Sequence, residues 1–425
     1  MNRKISPSIK DAIDYKLELK PYEHYSLDNG IPVYSINAGA QEVLQLEIIF
    51  YAGNFFEQQK GIAAAANFLL KNGTTSRTAF QINEAFEYYG AYCNRACYNE
   101  TAVITLHTLT KHLDKLLPVM QDMLTDAIFP EQELDIYLQN SRQRLKVNLQ
   151  KAEFVAGRLI DSYLFGENHP YGVYSNLEDL DKLSLEEVKK FYHQYYLNGQ
   201  VIIFAAGKVP ADLQQQLNKY FGALTVSRPL NAIPDIKASP AIEKKYRIQN
   251  DPEAVQGAIR IASGFPNRHH PDFKKAIILN NVFGGFFGSR LMSNIREEKG
   301  YTYGIHSYLQ NHMQQSAWMI STEAGKDVCE PTIEEIYKEM KKLREEPIGE
   351  EELLLVRNFM IGGLLGDLDG PFQVIAKWKN IILNNLDGSY FYDSIHEIKT
   401  ISAAELQVIA NKYLLPEKFY ELVVY

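Results

Sequence analysis

The chain repeats itself, and this repeat is the feature that most constrains its fold. The segment LSLEEVKKFYHQYYLNGQVIIFAAG from Leu183 has a counterpart, TISAAELQVIANKYLLPEKFYELVV, from Thr400. Each copy has a serine suited to cap a helix, then apolar residues at helical spacing, and finally an apolar strand. From Ser184 to Ser402 the offset is 218 residues.

A second pair of segments repeats at nearly the same distance. EAFEYYGAYCN around Gly90 matches NIREEKGYTYG around Gly300, an offset of 210 residues. In both, a predicted helix ends at a glycine and an aromatic-rich strand follows. Two offsets that agree this closely indicate a duplicated domain, and a chain of 425 residues is too long for one hydrophobic core.

The sequence therefore predicts two homologous domains joined by a linker. The segment SRPLNAIPDIKASPAIEKK, residues 227–245, has three prolines and mixed charge, which is typical of a linker. The predicted domains are residues 1–226 and 246–425. Each is expected to be an α+β unit in which helices cover one face of a mainly antiparallel sheet.

Composition excludes several classes of function. The formal net charge of −8 and the lack of a basic stripe argue against a nucleic-acid partner. The longest apolar runs are shorter than the roughly 20 residues of a membrane span, so no membrane association is expected. The charged N-terminal segment lacks the apolar core of a secretory signal, which favours a cytoplasmic location and leaves a periplasmic one open.

Several motifs resemble those of the pitrilysin/insulinase-type zinc peptidases, the inverzincins. They are LEIIFYAGNFFEQQKGIAAAANFLLKNGTTSRT from Leu46, HPYG at residues 169–172, the Leu183 segment, and GGFFGSRLMSNIREEKGYTYGIHS from Gly284. The resemblance covers nearly the whole chain and implies the metallopeptidase fold of that family, with two similar domains.

The catalytic members of this family carry HxxEH on a helix and a more distant glutamate. When Gly61 and Gly73 are aligned with the family pattern, the HxxEH positions hold Ala64, Asn67 and Phe68, and the distant glutamate falls at or beside Arg144. Alanine and phenylalanine offer no lone pair to a metal, and a guanidinium repels a divalent cation. We therefore expect no metal site or cofactor in this chain, and a helix whose former ligand face has become packing surface.

The resemblance also implies a role in a pair of subunits. In the small-subunit, processing-peptidase-like branch, a chain without HxxEH supplies an arginine and a tyrosine, seven residues apart, that bind substrate in the active site of a partner. Arg296 and Tyr303 have this spacing. The spacing alone favours another interpretation, in which Arg296 pairs with Glu297 or Glu298 in solvent and Tyr303 packs as an ordinary strand aromatic; the match of the surrounding GSRLxxxIREExGYxY pattern to the family favours the substrate-binding role instead.

Two functions follow from the resemblance. In the first, the chain is the incomplete subunit of a heterodimeric zinc peptidase: its partner is a homologous HxxEH subunit that holds the zinc, and its substrate is a peptide. The chain could form a homodimer when that partner is absent. In the second, it is a structural or interaction homologue with no proteolytic role, like the core proteins of respiratory complexes.

Overall fold

The computed structural model describes residues 11–225 and 233–425, and these contain two β-sheets with surrounding helices. The first sheet contains β1 Glu23–Ser26, β2 Pro32–Asn37, β3 Val43–Phe50, β4 Tyr92–Cys97, β5 Ala102–Leu109 and β6 Val201–Gly207. The second contains β7 Lys245–Ile248, β8 Gln256–Phe265, β9 Thr302–Asn311, β10 Ser316–Gly325 and β11 Tyr420–Val424. Neither sheet contains a strand from the other half of the chain.

The helices follow the same order in the two halves. In the first half they are α1 Ile62–Leu69, α2 Ala79–Tyr88, α3 Leu113–Thr125, α4 Glu131–Asn148, α5 Ala152–Phe165, α6 Leu177–Lys182, α7 Leu185–Tyr192 and α8 Leu213–Phe221. In the second they are α9 Phe273–Asn280, α10 Cys329–Glu345, α11 Glu350–Gly366, α12 Pro371–Leu383, α13 Ser389–Thr400 and α14 Ala403–Tyr413. A further helix with wider turns, Met292–Glu298, precedes β9.

The sheet topology bears out the duplication. The first sheet has the order β1-β2-β6-β3-β5-β4 and the second β7-β11-β8-β10-β9. Without β1, each sheet has five strands. Counted along the chain, the first strand lies beside the fifth, followed by the second, the fourth and the third, and this order is the same in both sheets. In each sheet only the first and last of these strands pair in parallel, β2 with β6 and β7 with β11. Both sheets are therefore mainly antiparallel, as the sequence predicts.

The local signals that revealed the repeat have the predicted structure. Ser184 and Ser402 accept hydrogen bonds from the backbone N–H groups three residues later, at 3.3 and 3.2 Å, and so cap α7 and α14. Gly90 and Gly300 have φ angles of 60° and 67°, in the left-handed region where glycine ends a helix without a steric penalty.

The expectation that helices cover one face of each sheet is wrong, because each half also donates a helix to the other half. Helix α5 packs on β8 and β11 of the second sheet, while α12 packs on β2 and β6 of the first. Every residue of β6 is buried, as expected for a strand covered on both faces. The two halves consequently share apolar cores and form one continuous packed body.

Charged groups also join the halves beneath these exchanged helices. Glu47 on β3 is 6% exposed and accepts a 2.7 Å ion-pair contact from Lys379 of α12. In the other direction, Arg260 on β8 lies under α5 and donates to the backbone oxygen of Glu153 at 3.4 Å. Removal of α12 would leave the buried Glu47 carboxylate without its ion-pair partner, whereas Arg260 also pairs with Glu323 at 2.9 Å.

The described part of the predicted linker is held in place. Ser239 N–H donates to the Phe165 oxygen and Ala241 N–H to the Tyr163 oxygen, both at 2.9 Å, at the end of α5. The side chain of Gln314, in the β9–β10 turn, donates to the oxygen of Ile233 at 2.9 Å. Residues 233–241 therefore contact both halves, whereas residues 227–232 of this prediction lie outside the described residues. The domain limits themselves stay a prediction.

No helix in the described ranges is long and apolar enough to cross a membrane.

Candidate functional site

Helix α1 carries the positions of the HxxEH motif. Its N-terminus is fixed by hydrogen bonds to a carboxylate. Gly61 has a φ of 91°, and the Glu57 carboxylate accepts hydrogen bonds from the N–H groups of Gly61 at 3.0 Å and Ala63 at 3.2 Å. Burial raises the pKa of the Glu57 carboxyl to about 7, although these two hydrogen bonds act in the opposite direction. The Glu57 side chain thus caps the N-terminus of α1.

The three former motif positions on α1 point in different directions. Asn67 is 3% exposed, and its amide donates to the hydroxyl of Tyr196 at 3.2 Å within the core. Ala64 lines a cavity, and Phe68 is 37% exposed even though its ring contacts that of Tyr137, with centroids 4.9 Å apart. The predicted packing surface is thus complete only at Asn67: Ala64 lines the cavity, and Phe68 packs in part against Tyr137 of α4.

Arg144 lies on α4, which packs across α1, and its side chain is exposed at the same cavity as Ala64. The cavity has a volume of about 630 Å³ and is formed by α1, α4, α5 and the segments around residues 54–60 and 167–175. The structure thus brings positions 64 and 144 together, as the family resemblance implies, although they are far apart in sequence.

These residues do not fit a zinc ion. Zinc needs imidazole, thiolate or carboxylate ligands in a roughly tetrahedral arrangement. Ala64 and Phe68 provide no lone pair, the Asn67 amide is turned into the core, and Arg144 adds a fixed positive charge. Within residues 11–225 and 233–425, no three His, Cys, Asp or Glu side chains are grouped so as to hold a metal ion. No chemical step can be assigned to a metal bound by these residues.

Arg296 and Tyr303 lie on either side of the helix end at Gly300. Arg296 is in the last turn of helix Met292–Glu298, and its guanidinium carbon is 4.6 Å from the centre of the Phe287 ring. Tyr303, near the start of β9, is 94% exposed. Neither alternative drawn from the residues alone is seen: among the described residues Arg296 forms no ion pair, and the Tyr303 ring is not packed.

The HPYG segment joins the two halves through polar contacts that the sequence did not reveal. The Tyr171 hydroxyl donates to Glu100 at 2.7 Å, and Glu100 also accepts from the N–H of Met313 at 2.9 Å. The Tyr171 ring stacks on His312 with centroids 4.0 Å apart, and burial lowers the pKa of His312 to about 4. Only the tertiary fold brings residues 100, 171 and 312 together, so no local pattern could have indicated this network.

Two family profiles match the chain. Residues 33–169 match the profile described as insulinase (peptidase family M16), and residues 182–360 match the profile of the peptidase M16 inactive domain. Arg296 and Tyr303 fall in the second match.

Relatives with similar sequences carry the name zinc protease. An uncharacterized zinc protease of Bacillus subtilis, YmxG, is 23% identical over 84% of this chain and 86% of its own length. An uncharacterized zinc protease of Rickettsia felis is 24% identical over 80% of this chain and 82% of its own length.

Solved structures share the fold. A peptidase M16 inactive domain from Pseudomonas fluorescens aligns with a TM-score of 0.82 and 21% identity over 95% of this chain and 98% of its own. A protease from Helicobacter pylori aligns with a TM-score of 0.86 and 18% identity over 96% of this chain and all of its own. The two profile matches, together with a shared two-domain architecture, confirm the resemblance seen in the sequence: the chain belongs to the insulinase family of peptidases, peptidase family M16.

Proposed function

We propose that this chain is the catalytically incomplete subunit of a heterodimeric zinc peptidase. A homologous subunit with an intact HxxEH motif holds the zinc ion and activates the water, while Arg296 and Tyr303 of this chain bind the peptide substrate in that active site. The chain cleaves no peptide alone, and it acts in the cytoplasm.

The observation that carries this proposal is the exposure of the Arg296 and Tyr303 region. The Phe287 ring is 61% exposed, and the Arg296 guanidinium lies over one face of this ring. Tyr303 is almost fully exposed on the neighbouring strand. Exposed aromatic rings beside an arginine are typical of an interface that another molecule covers, since Tyr and Arg are enriched where binding energy is concentrated.

The two side chains suit the chemistry of peptide hydrolysis. A guanidinium and a phenol both donate hydrogen bonds, and both can bind a peptide carbonyl oxygen. In the tetrahedral intermediate this oxygen becomes an anion, and donors aimed at it stabilise the transition state more than the ground state. A subunit that supplies such donors therefore raises the rate of peptide hydrolysis at the metal site of its partner.

The proposal is tested in the assembled pair. The chain is purified together with the homologous HxxEH subunit that accompanies it, and cleavage of a mixed peptide library is measured. Arg296→Ala or Tyr303→Phe should leave folding intact, because neither side chain packs in a core, and association intact, because both side chains bind the peptide rather than the partner subunit. Turnover should fall about a hundred- to a thousandfold, the usual effect of losing one oxyanion donor.

Matched variants separate this effect from general damage to the surface. Tyr92→Phe changes an exposed tyrosine on β4, which is the counterpart of β9 in the first half of the chain. This variant should leave turnover unchanged. If the Arg296→Ala and Tyr303→Phe complexes were as active as the unaltered complex, the pair would have no catalytic role. The alternative of a structural homologue would then be preferred. A chain of complex III2 from Candida albicans has the same fold with a TM-score of 0.74.

A further inference from the structure

The cavity beside Ala64 contains two arginines that have no carboxylate partner. Arg144 of α4 and Arg158 of α5 both line it, and neither forms an ion pair with any residue in the described parts of the chain. Nearby Arg142, also on α4, shows the usual alternative, because its guanidinium contacts the Asp181 carboxylate at 2.8 Å. Two unpaired guanidinium groups in one cavity point to an anionic ligand.

Arg158 is held in position before any ligand arrives. Its guanidinium carbon is 5.4 Å from the centre of the Phe154 ring and 5.2 Å from that of Tyr174, so it lies against two aromatic rings. One of its nitrogens also donates to the backbone oxygen of Ser175 at 2.5 Å. A side chain already fixed by stacking loses little conformational entropy when it binds, which favours affinity.

The other charged groups of the cavity do not neutralise these arginines. Lys60 adds a third positive charge, and the Asp179 carboxylate, 3.9 Å from the Lys60 ammonium, also attracts Arg158 electrostatically but forms no ion pair with it. Of the two carboxylates that line the cavity, Glu57 accepts hydrogen bonds from the start of α1 and has its pKa raised to about 7, while Glu167 is exposed to solvent. The balance in the cavity therefore favours an anion.

We propose that this cavity, at the position where catalytic relatives hold their metal, binds the carboxylate group of a peptide through Arg144 and Arg158. The planar guanidinium fork matches a carboxylate in geometry, and peptides are the ligand class of the family. The volume of about 630 Å³ lies in the range of small-ligand sites and admits a short peptide end. The site is separate from Arg296 and Tyr303, so it can be tested without a partner subunit.

Calorimetric titration of the purified chain with three pentapeptides tests this proposal. The first is an uncharged-side-chain peptide with a free C-terminal carboxylate, the second is its C-terminal amide, and the third is the amide with one glutamate added. We expect the first or third peptide to bind and the second to bind at least tenfold more weakly. Which of the two binds identifies the source of the carboxylate as the C-terminus or an acidic side chain.

Substitutions then assign the site. Arg144→Gln should weaken binding of the carboxylate peptide about ten- to a hundredfold, the effect of losing a charge-assisted hydrogen-bonding group. Arg142→Gln, two residues away on the same helix and outside the cavity, should leave binding unchanged. Equal binding of all three peptides, or equal losses in the Arg142 and Arg144 variants, would overturn the proposal. Neither outcome would affect the role proposed for Arg296 and Tyr303.

Discussion

Asp161 is a buried carboxylate that we expect to lower the stability of the chain at neutral pH. It lies on α5, is 6% exposed, and has no ion pair among the described residues. One of its oxygens accepts hydrogen bonds from the hydroxyl of Tyr174 and, at 3.5 Å, from the amide of Gln310, while the other oxygen is buried without a partner. Burial raises the pKa of Asp161 to about 6, against the opposing effect of these two hydrogen bonds.

The sign of the effect follows from the direction of the pKa shift. The pKa of Asp161 in the folded chain is above its ordinary value of 3.8, so the folded chain keeps a proton that the unfolded chain releases. The favourable contribution is complete below about pH 4 and is lost as the pH rises through 6. A shift of about two pKa units corresponds to about 3 kcal/mol in the free energy of unfolding.

Asp161→Asn removes this cost and keeps the shape of the side chain. The new amide oxygen can accept the hydrogen bond from Tyr174. Because Tyr174 and Gln310 contact the same oxygen of Asp161, the amide oxygen can keep both hydrogen bonds, and the NH₂ group takes the place of the oxygen that is already buried without a partner. We expect the variant to exceed the unaltered chain in free energy of unfolding by up to about 3 kcal/mol at pH 8 and by almost nothing at pH 4.

Urea unfolding of both proteins at pH values from 4 to 8 measures this difference. The exposed Asp135 of α4 provides the control, because Asp135→Asn changes the same chemical group without a burial cost and should have a small effect that does not vary with pH. A stability difference for Asp161→Asn that stayed constant between pH 4 and 8 would refute the reasoning. So would an Asn variant that was less stable at pH 8.

Two further predictions concern the metal and the joint between the halves. The purified chain should contain far less than one zinc per molecule and show no chelator-sensitive peptidase activity, as measured by elemental analysis beside an HxxEH relative; one zinc per chain would contradict the reasoning. Lys379→Ala should lower the free energy of unfolding by about 3–5 kcal/mol, because it leaves the buried carboxylate of Glu47 unpaired. In the same denaturation experiment Lys377→Ala, which breaks a more exposed pair with Asp367, should cost less than about 1 kcal/mol. Equal losses in the two variants would show that burial of Glu47 is unimportant.

The duplication could be predicted from the sequence because its signals are local. A serine cap such as Ser184 and a helix-ending glycine such as Gly300 act on backbone groups only a few residues away, so their effect can be inferred without the fold. The same holds for the substitutions at positions 64 and 68, whose side chains lack a lone pair in any fold. The sequence alone therefore determined the two-domain architecture and the poor fit of the former motif to zinc.

The exchange of helices and the contents of the cavity were decided by the tertiary structure. Helix α5 follows four helices of the first half, yet it packs on β8 and β11, and nothing in its own apolar spacing identifies which sheet it covers. Likewise Arg144 and Arg158 carry no sequence pattern that places them in one cavity. Apolar burial is not directional, so a helix face specifies that it must be covered but not by what, and only the packing of the whole chain makes that choice.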